Sequence, residues 1–347
     1  MHHFLLPAEG WGSAVDAKEA KELAPEALTA LKTWRRGILA KPTSKQIDQL
    51  IALAYRVETL WDLARRRLTI AEQEIRRDIP LWGRDRPDSE RKPVVSREEI
   101  ERTLDDPDGA YQRLRRVMDA WCAMWFWPLT NALTNGATPP TLDEWIATLR
   151  ELLGEHTVAK PKAVAHGQVT LGSSQSGWDA LNDEERDDLD FASARHVDDA
   201  LRDHPWLAAT QRVAEQQGFF HWELDFASVF ERGGFDLQVG NPPWVRPDWD
   251  EIANFAEHDT WWALTAKTSA KEQGVRRKEL LADPDVASGT IYGIGGAASQ
   301  RSFLSNELYF PELKGLRPDL YRCFMSATWR HASSNGTTGL VHPESHF

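Results

Sequence analysis

A short alternating run that stops at two prolines constrains this chain more than any other feature. Phe235-Asp236-Leu237-Gln238-Val239-Gly240 places apolar residues at every second position, the period of a strand, and its apolar character predicts a buried one. The run ends at Asn241-Pro242-Pro243-Trp244. Each proline fixes its own φ and lacks an N–H. Each also pushes the residue before it into an extended conformation, so Asn241 and Pro242 are both restricted. The side-chain oxygen of Asn241 and the carbonyl of Pro242 can then point at one spot, and Trp244 offers a flat face for stacking. That order suits a grip on a flat, polar ring. The expectation is that Asn241 closes a buried parallel strand and faces an open cleft. The plain alternative is an ordinary turn after a strand.

The quartet fits the pattern Asn/Asp-Pro-Pro-aromatic. Gly233-Gly234-Phe235-Asp236 precedes it directly, and Phe220-His221-Trp222-Glu223-Leu224-Asp225-Phe226 lies upstream. Together these segments resemble the N6-adenine DNA methyltransferases of bacterial restriction–modification and phage-defence systems, of the Type IIG-like kind. The resemblance implies a Rossmann-like catalytic domain, S-adenosyl-L-methionine as methyl donor and double-stranded DNA as partner. It also implies roles. Asn241 and the first proline carbonyl, Pro242, accept hydrogen bonds from the exocyclic amine of a flipped adenine. Pro243 completes the stiff motif, and Trp244 is the stacking platform. Asn at the first position favours adenine, since the cytosine-N4 enzymes usually carry Ser there.

A length of 347 residues suggests two domains. With 41% hydrophobic and 27% charged residues, the composition is that of a soluble globule, and no apolar run approaches a membrane span. The N-terminal residues lack the basic and long apolar regions of a secretory signal. Cys122 and Cys323 stand far apart with no metal-ligand spacing, so both read as reduced core residues of a cytoplasmic protein. The net charge of −12 is unexpected for a DNA binder, because phosphate contacts need Lys and Arg. It implies that most of a DNA-binding surface lies elsewhere, on a missing chain segment or a partner subunit.

Three regions are expected: a helical domain over residues 1–160 with a long helical hairpin, a polar linker or insertion over 161–200, and a partial class I methyltransferase domain over 201–347. The clearest helix runs from Thr43 to Ile79. Ile47, Leu50, Ala54, Val57, Trp61, Ala64, Leu68, Ala71 and Ile75 recur at alternating steps of three and four, a heptad seam. Residues 15–39 would pair with it as the other arm of the hairpin. Arg65-Arg66-Arg67 on this helix could touch phosphate, but read first as a solvated face paired with nearby acids. A third helix is expected over 109–134, its tryptophans and phenylalanine forming buried core, and a fourth over Leu142–Leu153, capped by Thr141. The acidic run Asp183-Glu184-Glu185-Arg186-Asp187-Asp188 reads as mobile surface. Helices are also expected over 204–217 and from Asp319 to His331, followed by a strand at Gly339–Val341.

A glycine-rich cofactor loop of the form Asp-Pro-x-x-Gly-Ser-Gly is missing upstream of Asn241. The nearest match is downstream, Asp283-Pro284-Asp285-Val286-Ala287-Ser288-Gly289, with alanine at the first glycine position; Gly293-Ile294-Gly295-Gly296 is weaker still. The cofactor-binding residues therefore remain unknown, and the expectation is of a fragment whose cofactor loop lies on a missing segment or a partner. The histidines are scattered without ligand spacing, so no metal is expected, and no phosphate-binding loop of ATPases occurs. Two functions stay open: part of a site-specific adenine-N6 methyltransferase, or a non-catalytic helical scaffold that binds nucleic acid or a partner through a methylase-like half.

Overall fold

A computed structural model describes residues 1–75, 82, 95–156, 177–264 and 269–343. The first half is helical. After a 3-10 turn at Ser13–Asp16 come α1 (Ala20–Leu23) and α2 (Pro25–Ile38). The break between them falls at Pro25, which opens α2 where a missing N–H costs nothing and cannot extend α1. Helix α3 (Ser44–Ile75) is 32 residues long, about 48 Å at the α-helical rise. The side chains of Thr43 and Gln46 cap its start reciprocally. The expected end of this helix, beyond Ile75, lies outside the described residues.

The other helices of this half are α4 (Arg97–Leu104), α5 (Ala110–Trp125), α6 (Leu142–Leu153), α7 (Gly177–Phe191), α8 (Val197–Asp203) and α9 (Pro205–Gln217). Helix α6 begins with a full capping box between Thr141 and Glu144, as its sequence predicts. Helix α5 stops at Trp125, well before residue 134, because Pro128 bars Trp127 from the helical region.

The main partners of α3 are α5 and α6, while α2 lies along α1 and the Ser13–Asp16 turn. The expected hairpin is thus replaced by a bundle around α3. Its buried stripe is Leu50, Leu53, Val57, Leu60, Ala64, Arg67 and Ala71. This shares Leu50, Val57, Ala64 and Ala71 with the expected seam but takes Leu53, Leu60 and Arg67 in place of Ala54, Trp61 and Leu68. Two adjacent stripes satisfy the same three-four spacing, and the packing of α5, α6 and α7 against α3 selects the one that buries Leu53, Leu60 and Arg67. Ile47 is left exposed.

Trp11, Trp121, Trp125 and Trp145 lie within the core, none more than 2% exposed. Trp11 meets Trp145 edge-on at 5.0 Å between centroids, a favoured aromatic geometry. Trp145 and Trp121 donate their indole N–H groups to the carbonyls of Leu5 and Leu6 at 2.9 and 2.8 Å. These bonds stitch the N-terminal segment onto the bundle. Gly10 is required by contact: a Cβ there would sit 1.7 Å from the Trp125 ring.

The acidic run 183–188 is not a linker. Residues 177–191 form α7, and α7 docks on α3 through buried charge. Arg67 pairs with Glu185, donates to Asn182 Oδ1 at 2.7 Å and lies 4.8 Å over the Trp178 ring. Glu185 also accepts from Ala110 N, at the first turn of α5, where an anion meets the positive helix end. Arg56 reaches both oxygens of Asp188, at 3.1 and 2.8 Å, and the Leu153 carbonyl at 3.0 Å. Arg113 donates to the Leu152 carbonyl at 2.7 Å. The carbonyl end of α6, which has no intrahelical partners, is thus closed by two buried guanidiniums. Of the arginines read as a solvated face, Arg65 and Arg66 do pair with nearby acids at the surface, but Arg67 is buried.

The second half contains α10 (Trp222–Asp225), α11 (Ala227–Glu231), β1 (Phe235–Gly240), α12 (Glu251–Ala256), α13 (Trp261–Leu264), α14 (Ala270–Leu280), α15 (Pro284–Leu304), α16 (Leu320–His331) and β2 (Ala332–Leu340). Among the described residues the only sheet is β1 beside β2, parallel, with Leu237 opposite Thr337 and Val239 opposite Gly339. The register shifts between Phe235 and Leu237. β2 starts seven residues before the expected strand. The protein is therefore mostly helical with a small parallel sheet.

Candidate functional site: the Asn-Pro-Pro-Trp loop

The base of the site is an aromatic collar around the start of β1. Phe235 packs against Trp222, Phe226 and Phe230 at 5.7, 5.1 and 5.8 Å between centroids. His331, the last residue of α16, meets Trp222 at 5.1 Å, and burial lowers its pKa, which keeps the ring neutral. The upstream aromatic segment is thus the clamp that fixes where β1 begins. Gly234 fits a tight approach there: its φ is +115°, and a Cβ would meet the His331 carbonyl at 2.5 Å.

From that anchor β1 runs to Gly240, and the ladder continues one step as Val341 N donates to the Gly240 carbonyl at 3.0 Å. One face is covered by α16, where Gln238 donates to the Thr328 carbonyl at 2.8 Å. The other face is open. Leu237 is 64% exposed and Val239 78%. The strand is parallel as expected, but it is not buried. Alternation reveals which residues share a face, not whether anything covers that face.

Asn241 follows β1 on the surface, and Pro242 is buried beneath it. The Asn241 amide makes no hydrogen bond among the described residues, so its oxygen is a free acceptor. Pro243 is exposed. Trp244 is 53% exposed, and its indole N–H reaches the Val341 carbonyl at 3.4 Å, across the end of β2. The ring is tethered by its edge and leaves a face to solvent. All four expected site residues therefore sit together at the carboxyl end of β1. Asn241, Pro243 and Trp244 lie exposed at the surface, with Pro242 buried.

Two further ties hold the loop. Leu320 N donates to the Val245 carbonyl at 3.0 Å, and Arg246 Nε lies 3.2 Å from Asp319 Oδ2. Asp248 accepts from Arg301 at 3.2 Å and from Arg317 at 2.5 Å. The sequence reading missed Arg246, Asp248, Arg301 and Arg317. No local spacing marks them, because the long crossover between the two parallel strands brings them together.

The glycine motifs after the loop are helical. Asp283 is the N-cap of α15 and accepts from Asp285 N at 2.9 Å; Pro284 is the first helical residue, and Gly289 and Gly293–Gly296 lie inside the helix. Asp-Pro here is a helix start, the position proline prefers, and the glycines after it form no loop. The described residues include no glycine-rich loop at a strand end and no His, Cys, Asp or Glu cluster fit to hold a metal. Cys122 and Cys323 are free thiols whose pKa values burial pushes up, Cys323 to about 11. No described helix is long and apolar enough to cross a membrane.

A stiff, acceptor-bearing loop at the carboxyl end of a parallel strand is where α/β enzymes place their ligands. A family model described as Eco57I restriction-modification methylase matches residues 62–271, and the chain belongs to that family. The match takes in the second half of α3, the bundle helices that follow it, β1 and the Asn241–Trp244 loop. Neither curated proteins nor solved structures gave a match.

Proposed function

We propose that this chain is the base-binding part of a site-specific adenine-N6 DNA methyltransferase of a restriction or phage-defence system, working in the cytoplasm. The observation that carries the reading is the free Asn241 amide beside the exposed Trp244 face, at the end of a parallel strand. A base buried in a duplex cannot reach this loop, so the adenine must be flipped out. Asn241 Oδ1 and the Pro242 carbonyl accept the two hydrogens of its amine. That orients the nitrogen and keeps its lone pair available. Pro243 holds the loop stiff, and Trp244 stacks on the ring. S-adenosyl-L-methionine supplies the methyl group when bound, within a Rossmann-like sheet to which β1 and β2 contribute. The described residues do not fit that donor, so its cradle comes from another segment or from a partner subunit.

The helical state of residues 284–289 also favours a second reading, a scaffold that binds nucleic acid or a partner without turnover. Methyl transfer to duplex DNA by the chain together with the polypeptide that supplies the cradle separates the two. Asn241→Ala should abolish transfer and leave the unfolding midpoint unchanged. Near-normal turnover by Asn241→Ala would refute the catalytic assignment. Titration calorimetry of the chain alone should show weak or no binding of S-adenosyl-L-methionine.

A further inference from the structure

We propose that Arg301 and Arg317 form a phosphate-binding pair for the backbone of duplex DNA beside Trp244, and that Asp248 fills the anion position of this pair until DNA displaces it. The inference rests on the reading that the Asn241–Trp244 loop meets DNA. Asp248 lies 53 positions from Arg301 and 69 from Arg317 in the chain, yet each carboxylate oxygen is taken by a different guanidinium, at 3.2 and 2.5 Å. A phosphodiester offers the same chemistry: two non-bridging oxygens sharing one negative charge, open to two donor forks. The three side chains are 40%, 49% and 64% exposed, for Asp248, Arg301 and Arg317 in turn. Exposed ion pairs stabilise a fold little, so folding alone does not require this convergence. A solvent-facing pair can also exchange its carboxylate for an incoming anion.

Place and charge agree with that use. Asp248 is four residues past Trp244, and Arg246 is tied to Asp319 on the same loop. The group holds three guanidiniums against two carboxylates in a chain of net charge −12. Three arginines of the bundle are committed otherwise: Arg56, Arg67 and Arg113 are buried against acids and helix carbonyls. A site of local positive excess whose carboxylate lies four residues beyond an exposed indole in the chain is therefore informative about where a phosphate backbone can lie.

The test is fluorescence anisotropy of the intact chain with a duplex of roughly 20 base pairs at several salt concentrations. Arg301→Ala and Arg317→Ala should each weaken binding several-fold and reduce the salt slope by about 0.9. Asp248→Asn should tighten binding several-fold. In the Arg301→Ala/Arg317→Ala background the gain from Asp248→Asn should vanish, since no guanidinium remains to be released. Asp187→Asn, at an exposed position of α7, controls for overall charge and should change little. Circular dichroism checks that each variant is folded. An equal gain from Asp248→Asn with and without the arginines, an equal gain from Asp187→Asn, or no duplex binding at low salt would each overturn the proposal. If Asn241→Ala methylates normally while the cycle holds, the base-binding reading fails and the phosphate pair stands. If Asn241→Ala is inactive while the cycle is additive, the reverse holds.

Discussion

Glu185→Ala should be among the most damaging single changes outside the tryptophan core. The side chains of Arg67 and Glu185 are 3% and 8% exposed, so the variant strands a guanidinium away from water. Breaking such a buried pair from one side costs about 3–5 kcal/mol. Loss of the acceptor for Ala110 N at the start of α5 adds about 1 kcal/mol, the usual effect of a lost cap. The bond to Asn182 and the Trp178 ring still serve Arg67, so a total of about 3–4 kcal/mol is expected. Glu185→Gln keeps an acceptor for Ala110 N and should fall between. The double variant Arg67→Met/Glu185→Leu removes both charges together and should recover most of the loss. Asp183→Ala removes an exposed pair with Arg186, 48% and 66% exposed respectively, and should cost under about 1 kcal/mol. Urea unfolding followed by tryptophan fluorescence gives all four values. If Glu185→Ala and Asp183→Ala shift the midpoint equally, the buried-charge account of α7 docking is wrong.

Trp244→Ala should weaken the hold on an extruded base by about 1–3 kcal/mol, the range for base stacking, whereas Trp244→Phe should keep much of the methylation rate. Gly10→Ala drives a methyl into the Trp125 ring and should cost about 1–3 kcal/mol by overpacking, read from the same urea curves. Burial first, then the N-terminal ammonium, pushes the His3 pKa down to about 4 from 6.5. Between those values the unfolded chain binds a proton that the folded chain refuses, so stability should fall as pH drops from about 6.5 to 4, and His3→Gln should flatten that slope. Tyr111 donates to Asp225, and burial raises its pKa to about 12. Its contribution is present below pH 10 and lost as pH rises through 12, a loss that Tyr111→Phe should remove.

What the sequence disclosed follows how far each signal reaches along the chain. Thr141 and Glu144 cap α6 from three residues apart, and the tryptophans of α5 cluster because hydrophobic size alone sends them inward. Helix α9 likewise carries its own start signal, Pro205 at its first position. The acidic run was misread because what makes it structural, Arg67, lies 118 positions from Glu185. β2 was shortened for a similar reason. Ala332-Ser333-Ser334-Asn335-Gly336 has little strand propensity, and only Ala332 of these pairs with β1 before the register shift. The Asn241–Trp244 loop was legible because proline stiffness is local. The arginines around Asp248 were not, because only the completed crossover assembles them.

The open side of β1 bears on how firmly that loop is held. Two strands with one apolar face in water form a weak cooperative unit. Amides of β1 and β2 should therefore exchange faster than those of α3, α5 and α6. The four residues proposed to meet the base thus ride on a part of the molecule that opens easily, steadied by two prolines and the ties to Val341 and Leu320. Linkage then runs in both directions. A polypeptide that covered Leu237 and Val239 would stiffen the loop, and a base gripped by the loop would strengthen that cover by the same factor. Under the proposed function, substrate capture and covering of the sheet would be one equilibrium seen from opposite ends.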